Sequence, residues 1–195
     1  MIHFTNVAKR YGKKEVLHNV SLTIPKGEIV SIIGGSGCGK TTLLKMINRL
    51  IPITSGSISV NGRDIHDFGP VELRRKIGYV IQQTGLFPHM TIRRNLELVL
   101  YLHNFTKVGR DEKINHMMDL VGLSRDLLER YPIELSGGQQ QRVGVARALI
   151  VEPEVILMDE PFSAIDPITR VALQDELRSL QEQVRSEEHT SNSSH

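Results

Sequence analysis

The chain has 195 residues, enough for one domain core or one core carrying an inserted subdomain, and too few for a multidomain assembly. Lys and Arg total 24 against 22 Asp and Glu, a net charge of +2, so charge lends no support to generic binding of nucleic acid or anionic membrane, and any partner has to be argued from a site. Apolar residues at 39%, charged residues at 24%, 16 Gly and 8 Pro exclude a collagen-like or broadly disordered chain, and the single cysteine, Cys38, excludes an internal disulfide framework and a Cys-based zinc site.

The first residues, Met1-Ile2-His3-Phe4-Thr5-Asn6, lack the basic head and apolar stretch of a secretory signal. Even the richest apolar stretch, Leu96 to Leu102, carries Glu97, well short of the ~18 apolar residues of a spanning helix. Work at a membrane would need another subunit to hold the protein there. Ile2 to Val7 and Val16 to Ile24 read as a β-hairpin around Tyr11-Gly12-Lys13, with Val20, Leu22 and Ile24 on one face. Pro25-Lys26-Gly27 interrupts the chain before Ile29-Val30-Ser31-Ile32-Ile33, which reads as a strand covered on both faces, the start of a buried parallel sheet. A Gly-rich loop, a helix near Lys40 to Leu50, a strand Ile58 to Val60 closed by Asn61-Gly62, a helix near Val71 to Lys76 and a strand Ile77 to Gln82 follow.

From Thr91 to Val151 the pattern is helical, with Ile92, Leu96 and Val99, then Ile114, Met117 and Val121, at helical spacing. This reads as an insertion, residues 91–151, in an α/β core made of 1–90 and 152–185. Val155 to Met158 restores the buried-strand pattern, and Asp166-Pro167 opens a helix striped by Leu173, Leu177, Leu180 and Val184. After Arg185 the periodicity stops. The polar tail 186–195 has no aliphatic or aromatic residue and cannot form a core strand.

Three segments carry chemistry. Gly34-Gly35-Ser36-Gly37-Cys38-Gly39-Lys40-Thr41 fits G-x-x-x-x-G-K-[ST] between a strand and a helix, where glycines let backbone N–H groups and the positive helix end face a phosphate. Lys40 reaches the β and γ phosphates, and Thr41 offers a hydroxyl to Mg²⁺. Cys38 reads as a small loop filler ahead of a redox sensor. Asp159 and Glu160 end the apolar run Val155-Ile156-Leu157-Met158, where parallel sheets place ligands. Asp159 suits the metal and Glu160 suits proton abstraction from water. Leu135-Ser136-Gly137-Gly138-Gln139 opens a helix in which Val143, Ala146 and Ile150 share a face, with Ser136 as N-cap, making a second anion cradle.

In this order, Gly34 to Thr41, Leu135 to Gln139 and Val155 to Glu160 resemble the Walker A, signature and Walker B motifs of ABC ATPases. The resemblance runs from about Met1 to Val184. It implies an α/β fold: a P-loop NTPase core with an N-terminal antiparallel β-subdomain and an inserted α-helical subdomain. It implies ATP and Mg²⁺ as cofactors and a homodimer sandwiching ATP, with Ser136, Gly137, Gly138 and Gln139 of one copy facing the γ-phosphate held by Lys40 of the other. The nucleotide-binding run covers Gly34, Gly35, Ser36, Gly37, Cys38, Gly39, Lys40, Thr41 and Thr42. Tyr11 resembles the aromatic that stacks on adenine. Gln82, rather than Gln83, resembles the glutamine that touches Mg²⁺ and water and senses a transmembrane partner, so Glu160 and Gln82 stand as catalytic, and Thr41, Gln82 and Asp159 as metal-binding. Ser163-Ala164-Ile165-Asp166 resembles the D-loop, with Ile165 where Leu is usual.

The family's γ-phosphate histidine follows a buried strand beyond the catalytic glutamate. Ser193 stands near that place, and His189 and His195 follow no apolar strand. The expectation is that the residues after about Arg185 are a truncation or foreign tail, with ATP and Mg²⁺ still bound and turnover crippled. Gln82 to Thr91, Gln82-Gln83-Thr84-Gly85-Leu86-Phe87-Pro88-His89-Met90-Thr91, resembles importers of quaternary-amine osmoprotectants such as glycine betaine, carnitine or choline. That implies permease partners, an indirect link to a substrate-binding protein, no nucleic acid, and a place on the inner face of the plasma membrane. A soluble ABC ATPase acting on nucleic acid or ribosomes, and a nucleotide-binding module without turnover, are the competing readings.

Overall fold

A computed structural model describes residues 1–82, 84–160, 171 and 175. Two compact units are present, one built on Met1–Arg74 and the other on Arg75–Gln174. Gln83, the D-loop segment, the leucine-striped helix of 166–184 and the tail 186–195 with Ser193, His189 and His195 lie outside the described residues.

In the first unit, β1 (Ile2–Tyr11) and β2 (Lys14–Ile24) form the expected hairpin, pairing Ile2 with Ile24 and Tyr11 with Lys14. β3 (Ser55–Val60) pairs antiparallel with the other edge of β1, and β4 (Arg63–Asp64) closes a sheet of order β2-β1-β3-β4. Ile2, Phe4, Ile58 and Val60 are buried, the period of two that pleating requires. α1 (Lys40–Ile47) buries Leu43, Met46 and Ile47, a helical stripe worth about 1.5–3 kcal/mol for each side chain removed from water. Its C-terminal carbonyls need partners. Arg74, in α2 (Pro70–Arg75), supplies two, donating to the carbonyls of Asn48 at 3.2 Å and Arg49 at 2.8 Å.

Ile29 to Ile33 departs from expectation. It is assigned to no strand, and Ile33 is 94% exposed. β-branched content favours a strand only where a ladder partner completes the hydrogen bonds. Among the described residues the ladders join β1 to β2 and β3, β3 to β4, and residues 77–80 to 155–158, and none reaches this run.

In the second unit, β5 (Ile77–Val80) and β6 (Val155–Met158) pair in parallel, Ile77 with Val155 through Val80 with Met158. The Asp159 N–H donates to the Val80 carbonyl at 2.9 Å and carries the ladder one residue further. β6 is not the fully covered strand its composition predicts. Leu157 is buried but Ile156, on the opposite face, is exposed, and among the described residues β6 pairs on one edge only.

Between these strands the described elements are all helical: α3 (Ile92–Leu102), α4 (Lys107–Leu120), α5 (Gly137–Leu149) and short 3-10 turns at Arg125–Glu129 and Pro132–Glu134. Thr91, Thr106 and Ser136 cap α3, α4 and α5 by accepting from the N–H groups of Arg94, Gly109 and Gln139, as short hydroxyl side chains at N-caps do. Ile92, Leu96, Leu100, Ile114, Met118 and Val143 are fully buried. Among the described residues no helix is long and apolar enough to cross a membrane.

Asn95, one turn into α3, is fully buried. Its Oδ1 accepts from the Phe87 N–H at 2.7 Å, and its Nδ2 donates to the carbonyls of Phe87, Met90 and Thr91 at 3.0–3.2 Å. One carboxamide therefore satisfies most of the backbone of the turn that enters α3. Removing it strands the Phe87 N–H and the Met90 carbonyl, while the Phe87 and Thr91 carbonyls keep the N–H groups of Met90 and Asn95; each stranded group carries a desolvation penalty of order 1–3 kcal/mol, part of which water recovers at the turn surface. Asn95→Ala is expected to lower the unfolding free energy by about 3 kcal/mol, read from urea melts of the wild type and variant.

Candidate functional site

In the first unit the site is built on the N-terminus of α1. Its N-cap is Gly39, at φ 101°, with no side-chain hydrogen bond to the helix. Two facts require glycine there. The left-handed conformation is strained for any other residue, and a Cβ would sit 2.9 Å from Leu17 Cδ2 and 3.2 Å from Val16 Cγ1. The loop rests on β2 and leaves the positive end of α1 without a capping side chain, the electrostatic condition for an anion. Lys40 donates from Nζ to the carbonyls of Gly34 at 2.9 Å and Gly35 at 3.0 Å, which holds a positive charge over the loop. A Cβ on Gly35 or Gly37 would meet nothing within 4 Å, so these glycines line open space. Cys38 is exposed, and its N–H donates to the Gly35 carbonyl.

Tyr11, at the end of β1, is half exposed and not part of the core. The Lys9 ammonium lies 4.7 Å from the centre of its ring while donating to the Pro52 carbonyl at 2.7 Å. A cation on one face leaves the other for a flat partner.

In the second unit, Gln82 and Glu160 meet. Gln82 Nε2 donates to Glu160 Oε2 at 2.9 Å. Glu160 has φ 51°, a left-handed conformation that a non-glycine residue adopts only where its surroundings enforce it. Two neighbours do so: Gln82 takes the carboxylate, and Gln141 Nε2 donates to the Glu160 main-chain carbonyl at 3.4 Å. Asp159 is buried. Its charge acts on Tyr79 in β5, whose hydroxyl is pushed above its ordinary pKa first by burial and then by Asp159. Ser136 forms a capping box: its Oγ accepts from the Gln139 N–H at 3.2 Å, and Gln139 Oε1 accepts from the Ser136 N–H at 2.9 Å. The Ser136 hydroxyl keeps its own proton to donate, and a Cβ on Gly137 would meet nothing within 4 Å. Among the described residues no cluster of three or more His, Cys, Asp or Glu is placed to hold a metal.

Residues 17–163 match the ABC transporter family. The chain belongs to that family. The choline transport ATP-binding protein OpuBA of Bacillus subtilis is 56% identical over 182 residues, covering 93% of this chain and 48% of that protein. The glycine betaine/carnitine/choline transport ATP-binding protein OpuCA of Bacillus subtilis is 55% identical over 182 residues, with the same two shares. The chain thus spans about half the length of the curated relatives it matches. Among solved structures, the ATP-binding cassette MJ0796, a dimer in a post-hydrolysis state bound to ADP and Pi, superposes with a TM-score of 0.87 at 36% identity, over 94% of this chain and 84% of that one. The fold is the α/β fold of the ABC ATPase.

Sequence reasoning about this ABC cassette missed the residues that hold the site from behind. Gln141 is buried, and Arg147 donates from Nη1 to the Gly85 carbonyl at 2.8 Å and from Nη2 to the Thr84 carbonyl at 3.1 Å. Burial lowers the pKa of this guanidinium from its ordinary value. The one available signal was negative: α5 buries Gln141, Val143, Gly144, Val145, Ala146, Ala148 and Leu149, so it has almost no solvated face to which a polar residue could be assigned. The α5 cap yields a direct measurement. Ser136→Ala is expected to cost about 1 kcal/mol of stability, and Ser136→Asn, which also caps well, close to none, by thermal unfolding.

Proposed function

We propose that this chain is the ATP-binding, ATP-hydrolysing part of a membrane importer for quaternary-amine osmoprotectants. The observation that carries the reading is the glycine-capped start of α1 with Lys40 over it, because a helix of this length without a capping side chain offers its N–H groups and dipole to a triphosphate. The names of the relatives, choline for one and glycine betaine, carnitine and choline for the other, support the solute class.

In this reading Gly34 to Thr42 hold the phosphates and Tyr11 stacks on adenine by the face Lys9 does not occupy. The oxygen donors of Thr41, Gln82 and Asp159 suit Mg²⁺, a hard cation; when bound, that ion supplies neutralisation of phosphate charge. Glu160 takes the proton of the attacking water at its carboxylate, and Gln82 orients that carboxylate through the 2.9 Å hydrogen bond. Ser136, Gly137, Gly138 and Gln139 face the γ-phosphate bound by a second copy, so ATP joins two chains and hydrolysis releases them. The dimeric solved neighbour supports this pairing. The helical region 91–151 serves as a separate subdomain. The cassette sits at the inner face of the plasma membrane on integral permease subunits, with a substrate-binding protein acting through them and no nucleic-acid role.

Lys40→Ala is expected to reduce MgATP binding by at least about a hundredfold, since it removes a charge-assisted contact to two phosphates. Glu160→Gln is expected to keep binding, lower turnover by about a hundredfold or more and trap the dimer on ATP. Equilibrium nucleotide binding, phosphate release and size-exclusion chromatography read these effects. Normal turnover by both variants would refute the site assignment, and failure of the protein to copurify with membrane subunits would refute the importer reading.

A further inference from the structure

The face of α5 formed by Gln141, Gly144 and Arg147 is directed at two short backbone segments, and both adjoin the Gln82–Glu160 pair. Gln141 holds the Glu160 carbonyl, and Arg147 bridges the carbonyls of Thr84 and Gly85, two and three residues beyond Gln82. Between them, Gly144 faces the same turn, and a Cβ there would lie in ordinary contact, 3.5 Å from the Thr84 carbonyl oxygen. The loop is shaped to receive the guanidinium. Gly85 is at φ 57°, a Cβ on it would lie 2.6 Å from Ile81 Cδ1, and the consecutive carbonyls of Thr84 and Gly85 both turn toward one side chain. Arg147 is partly buried, and among the described residues its guanidinium is held by two main-chain carbonyls and by no carboxylate, so its fork is matched to this turn rather than to an ion-pair partner.

We propose that Arg147 is a positioning residue for hydrolysis: by clamping Thr84 and Gly85 it fixes the loop that carries Gln82, and so sets where Gln82 holds the Glu160 carboxylate. The inference deepens the ATPase reading and rests on it. Because the clamp and the Ser136 cap belong to one helix, the loop's position is tied to the orientation of the signature cradle at the other end of α5. The planar guanidinium is what makes the bridge possible, since its fork reaches two acceptors in a fixed geometry that a lysine ammonium cannot reproduce.

The test uses the full chain with three variants, Arg147→Lys, Gln82→Ala and the double variant. Hydrogen exchange is the first readout and needs no nucleotide. In Arg147→Lys, amides around Gly85 and Leu86 are expected to exchange about tenfold faster, with α1 unchanged. Kinetics is the second. Arg147→Lys is expected to bind MgATP within about twofold of wild type and to lose roughly tenfold to a hundredfold in kcat, the scale of a reacting group displaced by about an ångström. A merely structural role would weaken binding and stability together and leave no such split. The double variant is expected to turn over no more slowly than Gln82→Ala, since Arg147 acts through Gln82. Unchanged exchange, an unchanged kcat or multiplicative losses in the double variant would overturn the inference. A wild-type chain that binds no MgATP, or binds it without turnover, would overturn the ATPase reading instead, and with it the catalytic half of the inference, while the exchange result still decides whether the clamp exists.

Discussion

Peptide groups that leave a ladder or helix must find another hydrogen-bond partner, and this constraint orders the whole cassette. Where the chain turns into α3, Asn95 supplies the partner, and where it turns behind Gln82, Arg147 does. At the end of β6, Gln141 does the same for Glu160. In each case a buried or largely buried polar side chain on a helix takes up backbone that regular structure has released. α1 is built the other way. Its N-cap is glycine, which brings no capping side chain. In the proposed reading, the contrast separates parts of the chain that are internally complete from a helix start that a phosphate would complete.

The same contrast separates the helices by role. α3, α4 and α5 all begin with a hydroxyl cap, the arrangement that stabilises a helix by about 1 kcal/mol in isolation. α5 nevertheless places glycines straight after its capping serine, where a cap alone would be better followed by stronger helix formers. Gly137 and Gly138 therefore weaken the first turn of α5, and a Cβ on Gly137 would meet nothing within 4 Å. In the proposed reading this suits a helix end that meets an anion only intermittently, and the capping box keeps it ordered in the meantime.

How much of this was legible from the residues depends on whether the partner of each group has to be of a particular type. The phosphate loop was legible because its requirements fall on fixed positions: a left-handed Gly39 against Leu17, a lysine next, a hydroxyl after it. The hairpin, α1, β5 and the capped α5 followed from spacing for the same reason. Asn95, Gln141 and Arg147 were not legible. Their partners are main-chain carbonyls and N–H groups, which every residue provides, so nothing at Thr84, Gly85 or Glu160 marks them in sequence as belonging to α5. Ile29 to Ile33 shows the opposite limit. Its composition fits a buried strand, but a strand exists only as half of a ladder, and the composition of one segment says nothing about whether its partner is in place.

The geometry of α5 also limits how the site can move. A helix advances about 1.5 Å and turns about 100° per residue, so Ser136 and Arg147, eleven positions apart, stand about 16 Å apart along a rigid axis. The Arg147 bonds are 2.8 and 3.1 Å long, and a roll of α5 by even a fraction of one residue would carry the guanidinium out of reach of its two acceptors. A displacement at the Ser136 end then has two outcomes. Either the Thr84–Gly85 turn follows the helix and takes Gln82 with it, or both hydrogen bonds break and the partly buried guanidinium loses its two carbonyl partners, which is the costlier outcome. The first is the smaller rearrangement. On the proposed reading, a displacement at the Ser136 end of α5 would therefore reach the Glu160 carboxylate through the backbone carbonyls that Gln141 and Arg147 hold.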